Sequence, residues 1–122
     1  MDAFPLAKDC PSPCLFLCML PSQDGFHNTS LTSVLQALNV DHIVVAGLVT
    51  SACVQHTAHG ACCRGFHVSV LHDACADWSI EQHEAALQCY GGFMYDVVGT
   101  EEWVQQAAET KRFKDRVVKA KL

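Results

Sequence analysis

Cys53 lies where an apolar segment passes into a helical pattern. Residues 43–46 are apolar and mostly β-branched, which predicts a strand, and the chain turns at Gly47 before a helical pattern that starts at about Ser51. The first amides of a helix have no partners within it, and the helix dipole is positive there. A thiol in such a place loses its proton more easily, and the same amides can bind a developing oxyanion. The spacing therefore predicts a nucleophilic cysteine.

Two further sets of residues have spacings that could hold a metal ion. One set lies on the predicted helix that carries Cys53 and consists of His56, His59, Cys62 and Cys63. The other lies near the N-terminus and consists of Cys10, Cys14 and Cys18. Side chains at such positions pack in the core or face solvent more often than they bind a metal, so we predict no metal and no cofactor.

Asp73 and Asp77 follow the next predicted strand and could act as a paired acid and base. We expect instead that Asp73 is a strand-end residue that accepts hydrogen bonds from loop amides. His72 and His83 are interpreted as ordinary surface or loop residues. The aromatic side chains that could line a pocket, or simply pack, are Phe26, Trp78 and Phe93.

Helices and strands alternate along the sequence. Helical patterns cover about 30–39, 51–63 and 80–90, and apolar runs predict strands at 42–47, 67–72 and about 94–98. Ser79 is expected to cap the third helix, with Gln82 at the capping-box position, and Thr100 to cap a fourth. This order predicts an α/β fold, a three-layer Rossmann-like parallel sheet with helices on both faces. In such sheets the chemistry lies at the carboxyl ends of the strands, where Cys53 falls.

Composition excludes several classes of function. Half of the 122 residues are apolar, which suits one domain with a modest core. Six of the eight Lys and Arg residues lie between Lys111 and Lys121, so the rest of the chain is acidic and nucleic-acid binding is not expected. No apolar run reaches the roughly 20 residues that span a bilayer. We therefore predict a cytoplasmic protein, without membrane contact, whose cysteines are reduced.

Three regions are predicted along the chain. Residues 1–23 contain all four prolines and three cysteines and are expected to be irregular. Residues 24–110 carry the alternating helices and strands and form the domain. Residues 111–122 form a basic C-terminal tail, interpreted as a solvated helix end.

The motifs together resemble the isochorismatase-like cysteine hydrolases, which include isochorismatases, nicotinamidases and N-carbamoylsarcosine amidases. The resemblance covers roughly residues 24–106. It rests on the strand followed by Gly47, Thr50 and Cys53, on an F-x-x-T-x-L pattern at Phe26–Leu31, and on Asp73-Ala74, His83–Leu87 and Thr100–Glu102.

The resemblance implies a Cys-Asp-Lys triad in which Cys53 attacks a carbonyl carbon of a small amide and forms an acyl-enzyme. It also implies an oxyanion hole from the amides of Thr50 and Cys53, and a cis peptide bond between Val49 and Thr50. It implies a small-molecule substrate and a homo-oligomer, since these folds commonly assemble as dimers or tetramers.

The sequence departs from the family pattern upstream of residue 24. Asp2 and Lys8 keep the order Asp, Lys, Cys, but their spacing does not suit residues from separate strand ends. The chain is therefore expected to be N-terminally truncated, to lack the triad Asp and Lys, and to be a weak or inactive hydrolase. The alternative is a non-catalytic fragment or paralogue that acts through oligomerisation or ligand binding.

Overall fold

The structure, a computed structural model, describes residues 23–109. The predicted irregular segment 1–23, apart from Gln23, and the predicted basic tail 111–122 lie outside these residues. The elements in chain order are helix α1 (Leu31–Ala37), strand β1 (His42–Leu48), a π-helical turn (Thr50–Val54), helix α2 (Gln55–Cys63), strand β2 (His67–Ala76), helix α3 (Ile80–Tyr90), strand β3 (Asp96–Val98) and helix α4 at residues 100–109. No helix among the described residues is long and apolar enough to cross a membrane.

The three strands form one parallel sheet in the order β1-β2-β3. This confirms the predicted α/β class. Both crossovers step across the sheet in the same direction, so right-handed connections place α2 and α3 on the same face. The core lies on that face, where Val54, Ala58 and Ala61 of the turn and α2 pack with Val45 of β1 and with Val68 and Val70 of β2.

Local sequence signals set several element boundaries as predicted. The Ser79 hydroxyl accepts a hydrogen bond from the Gln82 amide at 3.1 Å and caps α3. Asn39, two residues after α1, has a φ of 54°, the left-handed conformation that is common where helices end. The prediction for Thr100 is wrong, because Thr100 is already helical. The carbonyl of the preceding residue, Gly99, accepts a hydrogen bond from the Trp103 amide, so Gly99 occupies the cap position of α4.

Strand β1 is not buried on both faces, although its apolar run is typical of strands that are. Val45 is its one buried residue, and Leu48 at its end is 69% exposed. Among residues 23–109, β1 pairs with β2 on one side and with no strand on the other. An apolar run predicts a strand but does not say which of its surfaces a neighbouring element covers.

Candidate active site

The Cys53 turn, which we define as residues 49–54, starts where β1 ends. The peptide bond between Leu48 and Val49 is cis. Val49 is extended, with φ −106° and ψ 140°, and its carbonyl accepts hydrogen bonds from the amides of Ala52 at 3.0 Å and Val54 at 3.2 Å. The cis bond that the resemblance implied, between Val49 and Thr50, is therefore one bond too late.

Packing of its neighbours anchors the turn while Cys53 stays accessible. Thr50 is 1% exposed and Val54 is 4% exposed, so both side chains point into the core. Cys53 lies between them and is partly exposed, with no disulfide partner. The structure thus places the predicted nucleophile at the carboxyl end of β1, and it does not bury the thiol in packing.

The amides of the turn have different partners. Ala52 and Val54 donate to Val49, and Ser51 donates to the Asp77 carboxylate at 2.7 Å. Within the described part of the chain, the amides of Thr50 and Cys53 make no hydrogen bond to another element. Thr50 and Cys53 are the two residues whose amides are predicted to form the oxyanion hole, and the structure brings them together in one turn.

Asp77 contacts the Cys53 turn from the loop between β2 and α3. Its Oδ2 atom accepts from the Ser51 amide and its Oδ1 atom accepts from the Trp78 amide, both at 2.7 Å. Desolvation acts to raise the pKa of Asp77, but the hydrogen bonds from Ser51 and Trp78, together with the nearby His83, hold it below its ordinary value. Asp77 is therefore an anion that binds the start of the turn.

His83, on α3, contacts the same turn. Its Nδ1 atom lies 2.7 Å from the buried Thr50 hydroxyl. This contact was not predicted from the sequence. The sequence interpretation made His83 an ordinary surface or loop residue. The signal that could have found it is its place one turn after the Ser79 cap, since the first turn of a crossover helix starts at the carboxyl edge of the sheet.

Asp73 accepts backbone hydrogen bonds, as expected, but it lies inside β2, which continues to Ala76, and its partner Thr100 is the first residue of α4. Its carboxylate accepts from the Thr100 amide at 2.9 and 3.0 Å and from the Thr100 hydroxyl at 2.7 Å. The hydrogen bond from the Thr100 side chain is the main cause that lowers the pKa of Asp73. Asp73 and Asp77 therefore bind different segments, and the alternative of a paired acid and base is not supported.

Phe26 and Trp78, which were predicted to line a pocket, lie in different environments. Phe26 is 3% exposed and stacks on Phe66, with ring centroids 6.0 Å apart, and the Arg64 guanidinium lies 5.0 Å from the centre of its ring. Phe26 is thus a core residue beside the C-terminal end of α2, opposite the end that carries Cys53. Trp78 is 84% exposed and follows Asp77, so it remains near the site.

The possible metal ligands do not converge. The His59 Nε2 atom lies 3.3 Å from the Cys63 sulfur, and the His56 Nδ1 atom lies 2.6 Å from the Ala52 carbonyl oxygen. No group of three or more His, Cys, Asp or Glu side chains in residues 23–109 is placed to hold a metal ion. The cysteines at 10, 14 and 18, together with Asp2 and Lys8, lie outside the described residues.

Comparisons with known proteins agree with the motifs. The isochorismatase domain profile matches residues 21–102. The chain is 36% identical over 82 residues to a maleamate amidohydrolase from Pseudomonas putida, covering 67% of this chain and 38% of that protein. It is 37% identical over 72 residues to nicotinamidase 3 from Arabidopsis thaliana, covering 58% of this chain and 36% of that protein.

A solved structure shows the same fold. An isochorismatase-like hydrolase from Alkaliphilus metalliredigens superposes with a TM-score of 0.68 and 28% identity, covering 71% of this chain and 47% of that one. The chain spans about half or less of the length of each of these three proteins.

Proposed function

Because the chain belongs to the isochorismatase family, we propose that it is a cysteine hydrolase of small amides with Cys53 as its nucleophile. The single observation that carries the proposal is the partly exposed thiol in the first turn of the helical segment that follows a parallel strand. Relatives named as a maleamate amidohydrolase and a nicotinamidase support an amide C–N bond as the target.

The proposed reaction has two steps. The Cys53 thiolate attacks the amide carbonyl carbon, and the amides of Thr50 and Cys53 bind the oxyanion that forms. The C–N bond then breaks, the nitrogen leaves with a proton as ammonia or an amine, and a thioester remains on Cys53. Water hydrolyses the thioester, which releases the carboxylic acid and restores the thiol.

Turnover is proposed to be slow. The reaction needs a group that takes the thiol proton and returns it to the leaving nitrogen. Asp77 and Asp73 already accept amide hydrogen bonds, Asp77 from Ser51 and Asp73 from Thr100. Both carboxylates therefore hold backbone segments, and neither is hydrogen-bonded to the Cys53 thiol within residues 23–109.

Thiol labelling tests the nucleophile. The full chain is treated with iodoacetamide under native conditions, and the rate at each cysteine is read by peptide mass spectrometry. We expect Cys53 to react faster than the exposed Cys89, and Cys75 to react slowest because burial raises the pKa of its thiol. Equal rates at Cys53 and Cys89 would contradict the proposed nucleophile.

Turnover tests the hydrolase. Maleamate and nicotinamide are the probes, and released ammonia is the readout. We expect activity that is lost in Cys53→Ala and retained in Cys89→Ala, which removes an exposed thiol elsewhere. Activity of the wild-type chain no higher than that of Cys53→Ala would exclude the hydrolase and favour a non-catalytic role.

One observation favours association as a second function. The edge of β1 has no partner strand among residues 23–109, and Leu48 at its end is 69% exposed. Unpaired sheet edges promote pairing between chains. Light scattering should show an oligomer that Leu48→Glu dissociates and that Leu38→Glu leaves intact, because Leu38 is a similarly exposed leucine at the C-cap of α1. A monomeric wild-type chain would contradict this role.

A further inference from the structure

We propose that His83 is a positioning residue for the Cys53 turn. It acts through Thr50, whose side-chain hydroxyl oxygen lies 2.7 Å from the His83 Nδ1 atom. The inference rests on the proposed function of Cys53 and extends it to a residue of α3.

The contact lies at a point where the turn has little freedom. The Thr50 side chain is 1% exposed, so water does not replace a partner that is lost. A buried hydroxyl without a hydrogen bond is costly, and the turn would shift to find another partner. Because Cys53 follows Thr50 by three residues within the same turn, such a shift moves the thiol as well.

A second contact holds the next residue of the turn. The Asp77 carboxylate accepts from the Ser51 amide at 2.7 Å. Asp77 and His83 lie on either side of the Ser79 cap, which starts α3 by accepting from the Gln82 amide. The His83 amide donates to the Ser79 carbonyl at 3.1 Å, so the first turn of α3 sets where the imidazole lies.

The two contacts have a shared consequence. Thr50 and Ser51 begin the Cys53 turn, and each is bound by the seven-residue segment 77–83, which is distant in sequence. The position of the thiol therefore depends on how α3 is seated and not on the turn alone. Small misplacements of a reacting group have large effects on rate.

Two substitutions at position 83 separate positioning from helix stability. The side-chain amide of Asn reaches about where Nδ1 of His lies and can still bond Thr50, whereas Leu cannot. Leu is the better helix former of the two. Helix stability and positioning therefore predict opposite orders of reactivity for His83→Leu and His83→Asn. Asn also does not titrate, so rescue by Asn would assign a hydrogen-bonding role and not proton transfer.

The readout is the iodoacetamide rate at Cys53, with Cys63 in the same chain as internal reference and a urea titration of each variant alongside. We expect His83→Leu to lower the Cys53 rate about tenfold and His83→Asn to stay within about threefold of the wild-type rate. The control is Asp73→Asn, which weakens the contact between β2 and Thr100 and should leave the Cys53 rate unchanged.

Each outcome supports or overturns the positioning role of His83. An unchanged Cys53 rate in His83→Leu, or an equal loss in His83→Asn, would overturn the positioning role while the reactive Cys53 stands. A parallel loss in Asp73→Asn would show a general effect of stability and would also overturn it. A wild-type Cys53 that reacts no faster than exposed thiols would instead refute the proposed function on which the inference rests.

Discussion

The Asp73 carboxylate binds Thr100 through both its amide and its hydroxyl. Oδ1 accepts from the amide at 2.9 Å and from the hydroxyl at 2.7 Å, and Oδ2 accepts from the amide at 3.0 Å. The contact joins β2, where its register with β1 is interrupted after Val45, to the start of α4. It therefore ties the irregular end of the central strand to the last described helix.

We predict that this contact is lost in acid. The pKa of Asp73 is lowered in the folded protein, chiefly by the Thr100 hydroxyl. A carboxyl group with a lowered folded pKa stabilises the protein above its unfolded pKa, and that stabilisation is lost as the pH falls through the folded value. Urea midpoints of the wild type and Asp73→Asn should differ at pH 7 and converge as the pH falls below the ordinary pKa of an aspartate, about 3.9. A constant difference across this range would contradict the prediction.

We predict that Tyr95→Phe destabilises the fold. The Tyr95 hydroxyl donates to the Gln55 side chain at 2.6 Å and lies 3.4 Å from the Ala86 carbonyl, so it links α2 to α3. Its removal leaves the buried Gln55 amide oxygen without this partner and should cost about 1–3 kcal/mol in the free energy of unfolding. Urea denaturation measures the change. The control is Tyr90→Phe, which should cost less, and equal losses would contradict the link.

We predict that Tyr95 ionises only in strong alkali. Burial raises its pKa to about 12. A raised folded pKa means that this group stabilises the fold below its ordinary pKa of about 10, and that the stabilisation is lost as the pH rises through about 12. Absorbance at the phenolate band in Tyr95→Phe should lack the late step that the wild type shows. A step near pH 10 assigned to Tyr95 would contradict the prediction.

We predict that Gly91→Ala is destabilising because of its surroundings. A Cβ at Gly91 would collide with the Leu87 carbonyl oxygen and would lie 2.7 Å from the Val97 Cγ2 atom. Overpacking of this kind costs typically about 1–3 kcal/mol in the free energy of unfolding. Gly99→Ala is the control, because a Cβ there would meet its nearest neighbour, His72 Nε2, at 3.5 Å. In thermal denaturation, the melting temperature of Gly91→Ala should be well below that of Gly99→Ala.

Local patterns predicted the elements of this fold well, and the reasons lie in short stretches of sequence. The Ser79 cap and the apolar spacing of β2 act between residues a few positions apart, so they are visible in the sequence. The hydrogen-bonding role of Asp73 was predicted, but its place at a strand end was not confirmed, because β2 continues past it to Ala76. The role of His83 did not, because its partner Thr50 lies 33 residues earlier in the chain.

The alternation of strands and helices and the place of Cys53 after a strand could be read from the amino-acid order, since periodicity, caps and turns act locally. The assembled fold was needed to show that Phe26 is buried against Phe66, that one edge of β1 is unpaired among the described residues, and that α3 holds the Cys53 turn. Those facts depend on which distant segments meet when the sheet assembles. A pattern of residue types along one segment contains no information on what will pack against it.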